Sequence, residues 1–263
     1  MLKTLIERWR QGHRTMRWPD GPPPEMPDRF RGWPILHAAR CGPSCEACVA
    51  ACPHGACAIR KGRIEIDLGR CLFCGACQAA CPSGAIEFTS DYRLAVSRRE
   101  RLMVHGEARH PARALDLASR RLFGRSLRLR QVSAGGCNAC EADCNVLGTL
   151  AWDLGRFGIQ FVASPRHADG LLITGPVPEN MRLALEKTWK AVPAPRIVVA
   201  VGACAISGGP YVDHPEVHNG AAFGVPVDLF VPGCPPHPLT ILDGLLRLLG
   251  RIPEQHEGWS LTD

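Results

Sequence analysis

The sequence predicts two modules of different class, a small α+β unit followed by an α/β domain built on a parallel sheet. Three observations carry this. Nine of the fourteen cysteines lie between residues 41 and 81, and five lie beyond residue 136. The first group repeats internally, since Cys45 to Cys57 echoes Cys74 to Ile86 and Ala51-Cys52-Pro53 matches Ala80-Cys81-Pro82. Beyond residue 126, short β-branched or apolar runs bounded by Gly or Pro alternate with helical periods, the pattern of a parallel sheet covered on both faces. At 263 residues the chain has room for both modules.

Residues 1–40 are expected to form an extended arm. A short amphipathic stretch, Leu2 to Trp9, passes into Pro19-Asp20-Gly21-Pro22-Pro23-Pro24, where proline excludes regular helix. The cysteine-rich module is placed at 41–92 and a basic connecting segment at 93–126. In the α/β domain, 127–250, strands are expected at Leu127 to Ser133, Gln160 to Ala163, Gly170 to Thr174, Arg196 to Val201 and Val227 to Val231. Helices are expected at Asp143 to Phe157, Glu179 to Ala191 and Pro238 to Leu249. A tail, 251–263, completes the chain.

The formal charge of +6 would suit nucleic acid. However, the arginines concentrate from Arg93 to Arg130, where Phe123 is the single aromatic available for base stacking, so no nucleic-acid partner is expected. A protein or anionic membrane surface, or simply a solvated linker, fits this stretch better. The N-terminus lacks the uninterrupted apolar core of a secretion signal, and Arg120-Arg121 lies mid-chain, so it is read as basic surface rather than an export signal. The longest apolar runs, such as Ile197 to Ile206, fall short of the roughly 20 residues that a membrane-spanning helix needs. A reducing compartment follows, and in it so many cysteines are expected to ligate metal rather than form disulfides.

The run Cys71-x2-Cys74-x2-Cys77-x3-Cys81-Pro82 matches the bacterial ferredoxin pattern, in which three closely spaced thiolates serve one 4Fe-4S cluster and the fourth reaches across to the other. Upstream, Cys41-x3-Cys45-x2-Cys48-x3-Cys52-Pro53 differs by one residue in its first spacing, which a loop can absorb. The expected assignment is Cys41, Cys45, Cys48 and Cys81 for one cluster and Cys71, Cys74, Cys77 and Cys52 for the other. Zinc is the competing reading, because Cys-x2-Cys pairs also hold that ion. Two full four-cysteine runs, each closed by Cys-Pro and then Gly-Ala, weigh against it. Cys57 is left over at the position that Ile86 fills in the second half, and is read as a buried thiol.

Each cysteine of the later group follows an expected strand: Cys137 and Cys140 after the first, Cys204 after Arg196 to Val201, and Cys234 after Val227 to Val231. Ligands of open α/β sheets bind beside the carboxyl ends of the strands, so these four thiolates can converge on a third 4Fe-4S cluster. Gly135-Gly136, Gly202 and Gly233 would allow tight turns and close approach of backbone to sulfur. Cys144 is read as a packed thiol. The fold expected is therefore an α+β ferredoxin-like two-cluster module followed by an α/β flavodoxin-like domain with a parallel sheet.

Cys137-Asn138-Ala139-Cys140-Glu141, Gly202-Ala203-Cys204 and Pro232-Gly233-Cys234-Pro235-Pro236 resemble the small subunit of NiFe hydrogenases. Ala163 to Asp169 and Thr174-Gly175-Pro176 extend the likeness over about residues 130 to 250. It is closest to the membrane-associated, energy-converting group that includes formate hydrogenlyase. The homologous subunit of respiratory complex I has its first two cysteines adjacent, whereas here two residues separate them. From Asp28-Arg29-Phe30-Arg31-Gly32 through the two cluster runs, the chain is similar to the two-cluster ferredoxin subunit of the same complexes, so the whole resembles a fusion of neighbouring electron-transfer subunits.

The resemblance implies that Cys137, Cys140, Cys204 and Cys234 hold the proximal cluster, nearest a separate large subunit that carries the NiFe site. The present chain would be non-catalytic, peripheral on the cytoplasmic inner face of the cell membrane, and joined there to the other subunits of a membrane-associated complex. Glu141 would serve an interface or proton handling, or be a solvated carboxylate at a helix start. His167 and His237 are not assigned to a cluster. The alternatives are a complex I-like quinone oxidoreductase and a free-standing electron carrier.

Overall fold

The computed structural model describes residues 2–12, 14–42, 45–106 and 109–252. It opens with helix α1 (Leu2–Gln11), followed by an arm with little regular structure and then strand β1 (Pro34–Leu36). The cysteine-rich unit continues with α2 (Ala47–Ala51), β2 (Cys57–Arg60), β3 (Arg63–Asp67), α3 (Ala76–Ala79), β4 (Ile86–Phe88) and β5 (Met103–Val104). The sequence repeat is a structural one, since in each half a short helix carries the third cysteine of the run and a strand follows Cys-Pro. β1 pairs antiparallel with β4, while β2, β3 and β5 form a second antiparallel sheet in that order. Strand pairing thus reaches beyond residues 41–92 on both sides. Strands as short as these carry too little alternation to announce themselves in sequence.

Helix α4 (Leu117–Phe123) starts at Asp116, whose carboxylate accepts hydrogen bonds from the Ala118 and Ser119 amides. The second domain comprises β6 (Leu127–Ser133), α5 (Ala139–Val146), β7 (Ile159–Phe161), β8 (Gly170–Thr174), α6 (Glu179–Ala191), β9 (Ile197–Val201), α7 (Ala203–Ser207), β10 (Leu229–Val231) and α8 (Pro238–Leu248). Its five strands lie in the order β10-β9-β8-β6-β7, every neighbouring pair parallel, which is the flavodoxin-like order. β8 and β9 are buried at every residue, as central parallel strands covered on both faces must be.

One expected element is corrected. The helix anticipated over 143–157 is α5, Ala139–Val146, followed by a turn and a separate 3-10 turn at Leu154–Phe157. Asn138, in the left-handed region with φ 71°, starts the helix directly after Cys137, and the chain turns at Gly148. Leu147 and Leu154 are buried from within that turn rather than from one helix face, which produced an apolar period without a helix.

The flanking segments act as straps. Val96 exchanges both backbone hydrogen bonds with Phe230 and so covers the free edge of β10. The Leu115 amide donates to the Leu248 carbonyl at the end of α8. Arg156 donates to the Met16 and Trp18 carbonyls, at 2.5 and 2.6 Å, and binds the arm to the α/β domain. Several arginines of the connecting segment are internally paired: Arg93 and Arg109 with the buried Asp91, and Arg99 with Asp67. One apolar core runs from the cysteine-rich unit, through Trp33, Ile66 and Leu102, to Val198, Ala200 and Ile206 on one face of the parallel sheet. Of the expected tail 251–263, residues from 253 onward lie outside the described residues.

Candidate metal centres

The register of the parallel sheet aligns its carboxyl edge. Ser133 pairs with Thr174, Thr174 with Val201, and Val201 with Val231, so four strands end side by side. The loops that leave this edge carry the later cysteines: Cys137 and Cys140 after β6, Cys204 in α7 after β9, and Cys234 after β10. β8 lies between β6 and β9 and ends in Thr174-Gly175. A Cβ at Gly175 would stand 2.4 Å from the Ala134 carbonyl oxygen and 2.6 Å from the Gly136 amide, so the absent side chain is what lets the β6 loop cross over β8. At Gly202, φ +90°, a Cβ would meet Cys140 Sγ at 2.5 Å, and at Gly209 one would meet Cys204 Sγ at 2.8 Å. These are cradles that only glycine leaves open.

The thiols feel one another. Burial pushes the Cys204 thiol up to about 11, reinforced by the charges of Cys234 and Cys137. Burial likewise raises Cys140, with Cys204 and Cys234 among its charged neighbours, and raises Cys234, with Cys137 beside it. Each of the four therefore interacts with others of the set. Thiols that resist ionisation together fit a site whose occupant is cationic, since a metal core deprotonates its thiolate ligands. Cys137 and Cys234 are exposed and Cys140 and Cys204 are partly buried, so the site opens at the surface of this chain.

Glu141 is not the solvated carboxylate that was one expectation. It is 4 % exposed, and its Oε1 accepts the Ser133 hydroxyl at 2.7 Å and the Thr174 hydroxyl at 2.6 Å. Burial alone would raise its pKa, but the two hydroxyls outweigh that and hold the carboxyl below its usual range. It ties the ends of β6 and β8 together immediately after Cys140. Ser133 and Thr174 are the residues that sequence reasoning missed, because their role is visible only once the two strand ends are adjacent.

In the cysteine-rich unit a single cavity is lined by Cys52, Cys71, Cys74 and Cys77 together with Cys57. Burial, followed by the charges of Cys77, Cys52 and Cys74, pushes the Cys71 thiol up to about 12. Backbone amides point at sulfur: Phe73 N to Cys71 Sγ at 3.3 Å, Ala56 N to Cys52 Sγ at 3.2 Å, and Ala85 N to Cys81 Sγ at 3.2 Å. The expected first set is Cys41, Cys45, Cys48 and Cys81. Cys48 lies buried beside Cys41, which raises its pKa after burial itself. Cys45 stands just before α2, and Cys81 follows α3, which packs against α2. Residues 43 and 44 lie outside the described residues.

An all-thiol donor set, amides aimed at sulfur and glycine cradles fit iron-sulfur clusters. Among the described residues, no group of three or more His, Cys, Asp or Glu closes around one point as a single ion requires. Cys144 is fully buried in the second apolar cluster, its thiol pushed up to about 12 by burial and the charges of Glu141 and Asp143. His167 is exposed. His237 caps α8, its Nδ1 accepting from the Leu239 amide at 3.1 Å, and packs edge-on to Phe30 and Trp152.

Residues 36–85 match the family described as the 4Fe-4S dicluster domain, and residues 137–248 match the family of the NADH ubiquinone oxidoreductase 20 kDa subunit. The chain is 38 % identical over 138 residues to the probable membrane-bound hydrogenase subunit mbhJ of Pyrococcus furiosus, covering 52 % of this chain and 83 % of that one. It is 42 % identical over 131 residues to formate hydrogenlyase subunit 7 of Escherichia coli, half of this chain and 51 % of that protein, so it spans only about half the length of this relative. A subunit of the NADH-quinone oxidoreductase of Clostridium beijerinckii is 41 % identical over 118 residues, 44 % of this chain and 70 % of that one.

Proposed function

Because the chain belongs to the family of the NADH ubiquinone oxidoreductase 20 kDa subunit, we propose that it is the iron-sulfur electron-transfer subunit of a membrane-associated NiFe hydrogenase complex. The observation that carries this reading is the alignment of Ser133, Thr174, Val201 and Val231 at one sheet edge, with Cys137, Cys140, Cys204 and Cys234 in the loops beyond it.

In this reading the chain holds three 4Fe-4S clusters, on Cys41, Cys45, Cys48 and Cys81, on Cys52, Cys71, Cys74 and Cys77, and on the four cysteines of the sheet edge. Bound there, the clusters would supply one-electron relay between carriers. The protein's own work is positional. Gly175 and Gly202 leave room for the sulfurs, amides of Ala56, Phe73 and Ala85 stabilise charge on them, and Glu141 locks the β6 and β8 ends. The exposed thiols of Cys137 and Cys234 suit an edge covered by a large subunit that carries the NiFe site. The N-terminal module is then a ferredoxin-type subunit fused to the family domain, with boundaries near 41, 92, 127 and 250.

Among the described residues, no helix is long and apolar enough to cross a membrane. Attachment at the inner face of the cell membrane would therefore come through other subunits. The likeness to the NADH-quinone oxidoreductase of Clostridium beijerinckii favours a second reading, a complex I-like quinone oxidoreductase. Anaerobic purification of the native complex decides between them. The hydrogenase reading expects a co-purifying large subunit with two cysteine pairs and near-stoichiometric nickel. A large subunit without those pairs or nickel favours quinone chemistry, and a lone monomer overturns both.

A further inference from the structure

The halves of the cysteine-rich unit are built alike but are not electrically alike. In each, the cysteine before proline accepts the amide four residues on, Ala56 N to Cys52 and Ala85 N to Cys81, both at 3.2 Å. The next residue is Cys57 in the first half and Ile86 in the second. Cys57 is 5 % exposed and lines the cavity shared by Cys52, Cys71, Cys74 and Cys77, where Cys77 and Cys52 are its thiol neighbours. Ile86 stands beside Cys81 and offers only hydrocarbon from its side chain.

A second difference is one of formal charge. The residue after the second cysteine of each run is Glu46 in the first half and Gly75 in the second. A Cβ at Gly75 would come within 2.5 Å of Arg31 Nε, and Arg31 Nη1 donates to the Phe73 carbonyl at 3.4 Å. The guanidinium therefore lies over the loop that carries Cys71, Cys74 and Cys77. Arg40 and Arg70 precede the first cysteine of the two runs alike, so the charges that differ are the exposed Glu46 carboxylate on one run and Arg31 over the other.

We propose that Cys57 and Arg31 grade the two sites, making the cluster on Cys52, Cys71, Cys74 and Cys77 easier to reduce than its mate on Cys41, Cys45, Cys48 and Cys81, which Glu46 makes harder to reduce. This rests on the reading that both sets hold 4Fe-4S clusters. The step is a one-electron reduction by a neighbouring one-electron carrier, and the Cys57 proton stays on its own sulfur. Reduction adds a negative charge. A thiol hydrogen donated to a ligand sulfur and a nearby cation stabilise that charge, whereas a carboxylate opposes it. Arg31 and Glu46 are exposed and act through a screened field, while Cys57 acts in a dry environment where a hydrogen bond counts for more. The favoured site is also the one that borders the α/β domain, since Leu72 and Phe73 share a cleft with Cys234 and Pro235. An electron is thus drawn toward the domain that follows.

The test is a redox titration of the full-length chain, purified anaerobically, with each cluster followed by its electron paramagnetic resonance signal and iron counted in every sample. Cys57→Ile, which copies the mate site, and Arg31→Gln should each lower the potential of one and the same cluster without loss of iron. Together they should lower its reduced-to-oxidised ratio at fixed ambient potential about tenfold, or about 59 mV for one electron. Cys57→Ser keeps a donor and should restore most of the parent potential, and Glu46→Gln should raise that of the other cluster. Potentials that do not move in fully iron-loaded Cys57→Ile and Arg31→Gln proteins overturn the inference alone. Loss of about four irons in both Cys57 variants makes Cys57 a ligand and also overturns it. Parent protein with no cluster at these cysteines overturns the inference and the reading beneath it.

Discussion

Gly202 shows how one missing methyl group decides whether a site exists. Its φ of +90° is strained for any side chain, and a Cβ there would sit 2.5 Å from Cys140 Sγ. Gly202→Ala is expected to push Cys140 away and to cost the chain about four irons, leaving the cysteine-rich unit loaded. Iron analysis of the anaerobic variant checks this, and an unchanged iron content would contradict it. At this scale the candidate ligands stood out in sequence because Cys-x2-Cys and Gly-x-Cys patterns are local. Glu141 did not. Its partners, Ser133 and Thr174, come from strand ends that only the sheet register brings together, so sequence left a solvated carboxylate open beside an interface or proton-handling role.

At the scale of elements, β8 and α6 were legible to the residue, since an unbroken apolar run and a long amphipathic period leave little freedom. The short strands β1 and β5 were invisible, because they exist only by pairing with partners distant in sequence. Helix α8 is buried along its whole length and holds an ion pair inside it, Arg247 Nε to Asp243 Oδ2 at 2.8 Å. Removing the cation takes away the ion-pair partner of a buried carboxylate, so Arg247→Met should destabilise the fold by about 3–5 kcal/mol. Adding Asp243→Leu should recover much of the loss, as judged by denaturant unfolding.

Asp228, just before β10, accepts the Val198 amide at 2.8 Å, yet burial outweighs that bond and raises its carboxyl above the usual value. The folded chain then binds this proton more tightly than the unfolded one. Its contribution to stability is full below about pH 4 and is lost as pH rises through the raised value. Asp228→Asn, which keeps an acceptor for Val198, should flatten this slope. The stability of the parent relative to the variant should fall as pH rises across the window in urea titrations.

For the whole molecule, the two-module plan and the parallel sheet could be read from where the cysteines and apolar runs fall along the chain. What could not be read was how tightly the modules join. Ser207 Oγ donates to the Gly69 carbonyl at 2.8 Å, Val96 extends the sheet at β10, and one apolar core passes between the units. Such contacts depend on three-dimensional juxtaposition and have no local signature. The central proposal is that twelve thiols form three cluster sites, one of them assembled at the edge of the parallel sheet from three separate loops. The most direct measurement is iron and zinc analysis with paramagnetic resonance on the anaerobic full-length chain and its Cys234→Ser variant. About twelve irons in the parent and about eight in the variant, with two cluster signals retained, is the predicted result. Near-stoichiometric zinc with little iron, or an unchanged iron content in the variant, would contradict it.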